Sequence, residues 1–224
     1  FSPLTVIAIP CCYMASFVRS APLPELPGVN RTLVEDPGFQ ELVERSHSLI
    51  QKVLLSIPEA HKSCIHTETL QLNSAENAKL VVMAANIGIP SAPVLKVVSD
   101  NFTLETCLSR MSEGIQLHRA LLSAVLPRLD KKDRVNELLA DTRDLLVQIH
   151  KMQKMVQGES AVQPTPPALN LRLPGEYEVQ VATHLTLVQL QSFGQDMVRS
   201  LRIFYRPSSQ LHLKELYNAH LVKQ

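Results

Sequence analysis

The chain has 224 residues, 45% of them apolar, and carries 22 basic against 21 acidic side chains for a net charge of +1. That is enough apolar material for a sizeable core in one domain or two small ones. With no cluster of Lys and Arg, no Trp and only 4% aromatic residues, both a nucleic-acid electrostatic footprint and a base-stacking platform are excluded.

The first 18 residues, FSPLTVIAIPCCYMASFV, contain no charge; Arg19 is the first, followed by Ser20, Ala21 and a Pro-rich stretch. An uncharged apolar run ending at small residues predicts a secretory signal peptide over residues 1–20, cut after Ser20. The missing initiator Met reads as a front end truncated before residue 1. A membrane-spanning helix is the alternative, weakened by Pro3 and Pro10. Residues 21–224 then form a single domain that is secreted and extracellular. Loss of the leader removes Cys11 and Cys12 and leaves Cys64 and Cys107, for which one disulfide is the natural reading in an oxidising compartment. The sequons at Asn30 and Asn101 fit a glycoprotein of the secretory path.

Proline divides the rest of the chain, because inside a helix it forfeits a hydrogen bond and clashes with the preceding turn. Phe39, Val43, Ser46, Ile50, Val53 and Ile57 recur at helical spacing, with Asp36 as N-cap, Pro37 in the first turn and Pro58 as the stop. A helix over about 38–57 is expected. Ser74 to Ile87 (SAENAKLVVMAANI) reads as a short extra helix over about 75–86, capped by Ser74 and ended by Gly88. Leu104, Leu108, Met111, Ile115, His118, Leu122 and Val125 mark a second long helix over about 103–126. Val135, Leu138, Thr142, Leu145, Ile149, Met152 and Val156 mark a third over about 131–157, with Gly158 behind it. Val181, Leu185 and Val188, continued with one skip by Leu190, Phe193, Met197, Leu201 and Phe204, mark a fourth over about 178–205.

The second and third helices are joined by a few residues around Pro127 to Asp130, which makes them antiparallel neighbours. About 45 residues separate the first from the second, and about 20 the third from the fourth. One short turn between two long crossovers predicts an all-α, long-chain four-helix bundle with up-up-down-down topology.

Nothing in this pattern asks for catalysis. The sequence contains no HExxH, no Gly-rich phosphate loop and no Gly-x-Ser-x-Gly elbow. His61, Cys64 and His66 crowd together in HKSCIH, but one cysteine and two histidines fall short of a zinc set, and no metal or cofactor is expected. Cys107 and His118 lie eleven residues apart on one helix, about 16 Å at 1.5 Å per residue, and cannot act as a nucleophile and its base. Asp141 and Asp144 share one polar face with Gln148 and Lys151; they read as a solvated face or, more sharply, as a recognition patch. An enzyme is not expected.

The stretch NIGIPSAP (86–93) followed by CLSRMSEGIQLHRALL (107–122) resembles the family of interleukin-6, granulocyte colony-stimulating factor and the avian myelomonocytic growth factor. The family pattern of two cysteines, Gly-Leu, an aromatic and Leu falls on Val97, Cys107, Gly114, Ile115, His118 and Leu122, with its spacing intact. The first cysteine, the Leu and the aromatic are replaced. AVQPTPPAL (161–169), LQSF (190–193) and MVRSLRIF (197–204) resemble the second crossover and the last helix of such factors.

The resemblance implies a secreted haematopoietic growth factor that dimerises a class I cytokine receptor, of the granulocyte colony-stimulating factor receptor type, to promote granulocyte-lineage growth. Another interleukin-6-type cytokine using a shared signalling receptor is the alternative. The family's main receptor surface falls on Asp141 and Asp144, with Gln148 continuing that face, and on Glu44 and Arg45 of the first helix. Its second surface, in the crossover helix, falls on Lys79 with Glu76 as the nearest acid. With Val97 in place of the usual partner, the pairing that remains for Cys107 is Cys64, a predicted Cys64–Cys107 disulfide. His118, at the aromatic position, is expected to be partly buried and neutral.

Overall fold

The computed structural model describes residues 31–95, 103–158 and 168–205. The leader over 1–20, Asn30, Asn101, Val97 and the tail from 206 lie outside the described residues. Among the described residues there are six α-helices: α1 (Arg31–Val34), α2 (Pro37–Cys64), α3 (Val81–Ile87), α4 (Leu104–Val125), α5 (Asp133–Gln157) and α6 (Glu176–Phe204). Two 3-10 stretches, Ala75–Leu80 and Leu126–Arg128, precede α3 and follow α4. No strand occurs among the described residues.

Local chemistry sets the helix ends. Asp36 accepts from the Phe39 N–H at 2.9 Å with Pro37 in the first turn, so one orphan donor is satisfied and the φ of the next residue is preset. Thr103 does the same for α4 by accepting from the Thr106 N–H. Ser74 accepts from the Glu76 N–H to start the 3-10 stretch. Gly88 closes α3 with φ of 88°, a left-handed conformation that suits only glycine there, because a Cβ would lie 2.9 Å from the Asn170 carbonyl oxygen.

Side-chain pairings give the direction of every long helix. Gln40, early in α2, donates to the Phe204 carbonyl at the end of α6 at 2.8 Å, while His61, late in α2, bonds His184 early in α6. Lys52 of α2 meets Asp141 of α5, and Cys64 meets the Lys131 carbonyl just ahead of α5. Ser112 of α4 bonds His150 of α5, and Gly114 faces Phe193 of α6. The helices therefore run around the bundle as α2, α5, α4, α6, each antiparallel to its neighbours, with α2 parallel to α4 and α5 parallel to α6. This is the up-up-down-down bundle.

The core lies along the middle of all four. Leu108, Met111, Ile115, Leu138, Leu145, Phe39 and Ile57 are fully buried, each contributing about 1.5–3 kcal/mol by leaving water. Ser46, Thr142, Thr183 and Thr186 are buried too, and each hydroxyl donates to the carbonyl four residues back. A core position can therefore carry a hydroxyl without an unmade hydrogen bond.

Three sequence expectations change. Pro58 does not stop α2, which runs on to Cys64. An interior proline costs about 3 kcal/mol, and burial of Ala60 and Cys64 beyond it offsets that loss. Val188 lies at the flank, and Leu187 takes the core position with Val179, Thr183 and Leu190. The Cys64–Cys107 disulfide is absent, and both thiols are free and buried. Cys64 closes α2 and Cys107 opens α4; since these helices are parallel, the two residues sit at opposite ends of the bundle. The 22 residues of α4 span about 33 Å at 1.5 Å per residue, whereas a disulfide tolerates a Cα separation of at most about 7 Å. Burial pushes the Cys107 thiol up to about 12, against smaller lowering by Ser200 and Arg110, and burial also raises Cys64. Non-reduced peptide mapping will find free thiols at Cys64 and Cys107, and reductant will leave the melting temperature unchanged.

Gly114 sets how closely α4 approaches α6. A Cβ there would lie 2.1 Å from the Phe193 ring, with two further ring atoms at 2.5 and 2.6 Å. Gly114→Ala will lose about 1–3 kcal/mol in urea denaturation through this overpacking, despite alanine's better helix propensity.

Candidate interaction surfaces

Two stripes meet along the outer face of α2 and α5. On α2, Glu41, Arg45, Lys52, Ser56 and Glu59 recur at steps of three, four and seven, which places them on one flank. On α5, Arg134, Glu137, Asp141, Asp144 and Gln148 do likewise. Antiparallel packing brings Lys52 to Asp141 at 2.7 Å, and Ser48, Gln51, Lys52, Leu55, Ser56 and Glu59 line a shallow groove with Arg134 and Glu137. Asp141 is 7% exposed, so it serves chiefly to hold Lys52, and its hydrogen bond holds the Lys52 ammonium above the usual lysine range. Asp144 remains open to solvent beside Arg143. Gln148 is half-buried on the same flank, its Oε1 lacking a protein partner. Leu55 stands in the middle of this charged field and is 77% exposed.

Glu44 and Arg45, adjacent in sequence, part company. Arg45 pairs with Glu41 on the flank toward α5. Glu44 instead borders a cleft between α2 and α6, with Val43, His47, Leu201, Arg202 and Tyr205. The structure brings Arg45, Asp141, Asp144 and Gln148 to one face and turns Glu44 away from it. Lys52 and Leu55 were missed in the sequence: a lysine on a helix flank and a leucine between two core positions carry no local signal.

A second, smaller patch lies on the first crossover. Glu76 and Lys79 form an ion pair with each other, so neither is an unpaired charge. Beside them Val81 and Val82 are 66% and 68% exposed. The patch is positioned from α6. Gln180 accepts from the His66 and Thr67 N–H groups and the Thr67 hydroxyl. His184 bonds Asn77, and the Arg172 N–H of the second crossover donates to the Ile87 carbonyl.

The histidine and cysteine of HKSCIH diverge: His61 turns to His184, Cys64 to the Lys131 carbonyl, and the His66 N–H to Gln180. Among the described residues no three His, Cys, Asp or Glu side chains come together as a metal set. No helix among them is long and apolar enough to cross a membrane.

His118 is fully buried, beyond the partial burial expected of it. Its Nδ1 donates to the Gly114 carbonyl at 2.6 Å, its ring packs on Phe193 with centroids 5.3 Å apart, and burial lowers it to about 4. It is a neutral wall residue. Burial also lowers His150, which bonds Ser112. A histidine depressed in the folded state binds fewer protons there than in the unfolded chain, where it titrates near 6.5. Its stabilising contribution is therefore complete above pH 6.5 and drains away as pH falls toward 4. For His118 this predicts a loss of about 2 kcal/mol between pH 7 and pH 5. Urea denaturation at the two pH values will show the difference shrinking by that amount in His118→Phe.

No family model matches the chain. The granulocyte colony-stimulating factor of Felis catus is 28% identical over 151 residues, 66% of this chain and 71% of the relative. That of Bos taurus is 28% identical over 151 residues, covering 66% and 70%. That of Homo sapiens is 26% identical over 168 residues, 74% of each chain. These similarities support a distant relationship to granulocyte colony-stimulating factor.

Proposed function

We propose that this chain is a secreted helical cytokine that works by being gripped, bringing together two copies of a class I cytokine receptor and promoting granulocyte-lineage proliferation and differentiation. The observation that carries this reading is the α2–α5 face, an exposed Leu55 in a groove lined by Lys52, Glu59, Arg134 and Glu137, with Arg45 and Asp144 exposed further along the same face. Sequence similarity to colony-stimulating factors and the bundle topology support it independently.

An apolar anchor within a charged rim is how many interfaces divide their work. The anchor, once dry, carries most of the affinity, and the rim sets orientation and association rate. Leu55 is the anchor, and Asp144 and Arg45 belong to the rim. Asp141 acts through Lys52, fixing the ammonium in place rather than meeting a receptor itself. Glu76, Val81 and Val82 on the crossover form the second surface that a receptor pair requires. Glu44, on the α6 side of α2, belongs to neither.

Binding to the ectodomain of a granulocyte colony-stimulating factor receptor tests the reading. Leu55→Ala will weaken affinity about tenfold or more, chiefly through faster dissociation. Asp144→Lys will slow association, most strongly at low salt. Far-UV circular dichroism will be unchanged in both. Full affinity in the Leu55→Ala, Asp144→Lys double variant, or capture only by a shared receptor of the interleukin-6 type, would overturn the proposal.

A further inference from the structure

The seam between α4 and α5 keeps a regular register. Gln157 Nε2 of α5 donates to Glu105 of α4 at 2.9 Å, and Ser112 of α4 bonds His150 of α5 at 2.9 Å. Ser112 lies seven residues after Glu105, and His150 lies seven before Gln157. In antiparallel helices equal steps of seven, about two turns or ~10.5 Å, return to the same line of contact. The next step along that line sets Arg119 opposite Arg143. Two complementary pairs are followed by two like charges.

Neither arginine is neutralised from a neighbouring turn of its own helix. The positions three and four residues either side of Arg119 hold Ile115, Gln116, Leu122 and Ser123; those around Arg143 hold Leu139, Ala140, Leu146 and Val147. Arg45, Arg134 and Arg199, by contrast, each pair with an acid three or four residues away. Arg119 is half-buried, and its Nε is enclosed with no hydrogen-bond partner among the described residues. Burial, and then Arg143 across the seam, lower its guanidinium below the usual arginine range, and no carboxylate counters them. Arg143 gives both Nε and Nη2 to Asp144 Oδ1. That contact is exposed and holds weakly, and it leaves the Arg143 Nη1 uncommitted.

We propose that Arg119 and Arg143 form a clamp across the α4–α5 seam that binds a tetrahedral oxyanion, a sulfate group either free or carried on a polysaccharide.

The chemistry of the pair selects this class. A guanidinium is always charged and presents a planar fork of N–H donors that matches oxyanions. A carboxylate spends both of its oxygens on one such fork. Bridging two forks from two helices calls for an acceptor with more oxygens, and its negative charge relieves the repulsion between the arginines. With Nε turned inward, Arg119 offers its two Nη groups, and its part-buried stem has little freedom left to lose when an anion arrives. The flanking Gln116, Ser123, Ala140 and Val147 add no negative charge, so Asp144 is the carboxylate that competes for Arg143. The clamp lies on the α4 side of α5, opposite the groove toward α2, and does not depend on what binds that groove.

A nuclear magnetic resonance titration of the full chain tests this, with sodium sulfate compared against sodium chloride at equal ionic strength. Sulfate will shift the backbone amides of residues 116–123 and 140–147 to saturation, and chloride will not. Arg119→Gln will abolish saturation. Arg143→Gln, at a position the fold does not bury, will weaken binding about tenfold, and Arg119→Lys, which keeps the charge and loses the fork, will weaken it severalfold. Arg199→Gln, which removes a cation already paired with Asp196, will leave it unchanged. A sulfated tetrasaccharide that binds tenfold tighter than sulfate, with the same dependence on Arg119, supports the clamp and assigns the sulfate to a polysaccharide. Equal affinity supports the clamp as a site for the free ion. Matching shifts in chloride, or sulfate binding undiminished in both Arg119→Gln and Arg143→Gln, would rule the clamp out.

Discussion

Because α2 and α4 run in the same direction, the chain must travel the length of the bundle between them. That single geometric requirement underlies most of what is distinctive here. It makes the first connection long, so that it needs structure of its own in the 3-10 stretch and α3. It leaves α6 as the surface on which that connection is pinned, through Gln180 and His184. It also sends the second crossover back past the first, where the Arg172 N–H meets the Ile87 carbonyl and Asn170 approaches Gly88 too closely for any other residue. Both candidate surfaces are consequences, one formed where α2 and α5 are forced side by side and the other carried on the crossover itself.

Polar groups are placed by the same packing logic. The hydroxyls of Ser46, Thr142, Thr183 and Thr186 sit in the core by giving their proton to the carbonyl four residues back. Imidazoles are admitted as neutral rings with a partner at one or both nitrogens: His118 on Gly114, His150 on Ser112, His61 on His184. Each is lowered by burial, so the bundle is tuned to neutral pH. The face between α2 and α5 obeys the opposite rule. Apart from the buried Asp141, its charges stay exposed, which contributes little to stability and leaves them available for recognition.

Much of the architecture was legible from residue spacing. Core stripes such as Phe39 to Ile57 and Leu104 to Val125 repeat at the helical period, and the unequal loop lengths point to one topology. What spacing does not encode is which distant residue completes a site. The His61–His184 bond joins residues 123 apart, and the Lys52–Asp141 pair joins residues 89 apart; nothing local marks either. Pro58 misleads because local propensity yields to tertiary burial. The disulfide failed for a reason available in the topology itself, since parallel α2 and α4 cannot bring the end of one to the start of the other. Of the candidate site, the acidic stripe on α5 was readable, whereas its lysine partner and its exposed leucine required the neighbouring helix.

The two thiols matter most when the chain is not folded. In the finished bundle Cys64 and Cys107 are enclosed, and Cys107 is pushed far from its reactive form. An unfolded chain shelters neither, and nothing in the native structure rewards their joining. Any bond they make, with each other or between molecules, is a trap that must be undone before the helices can dock. Refolding under oxidising conditions would therefore lower the yield. A reducing host cytoplasm would raise it.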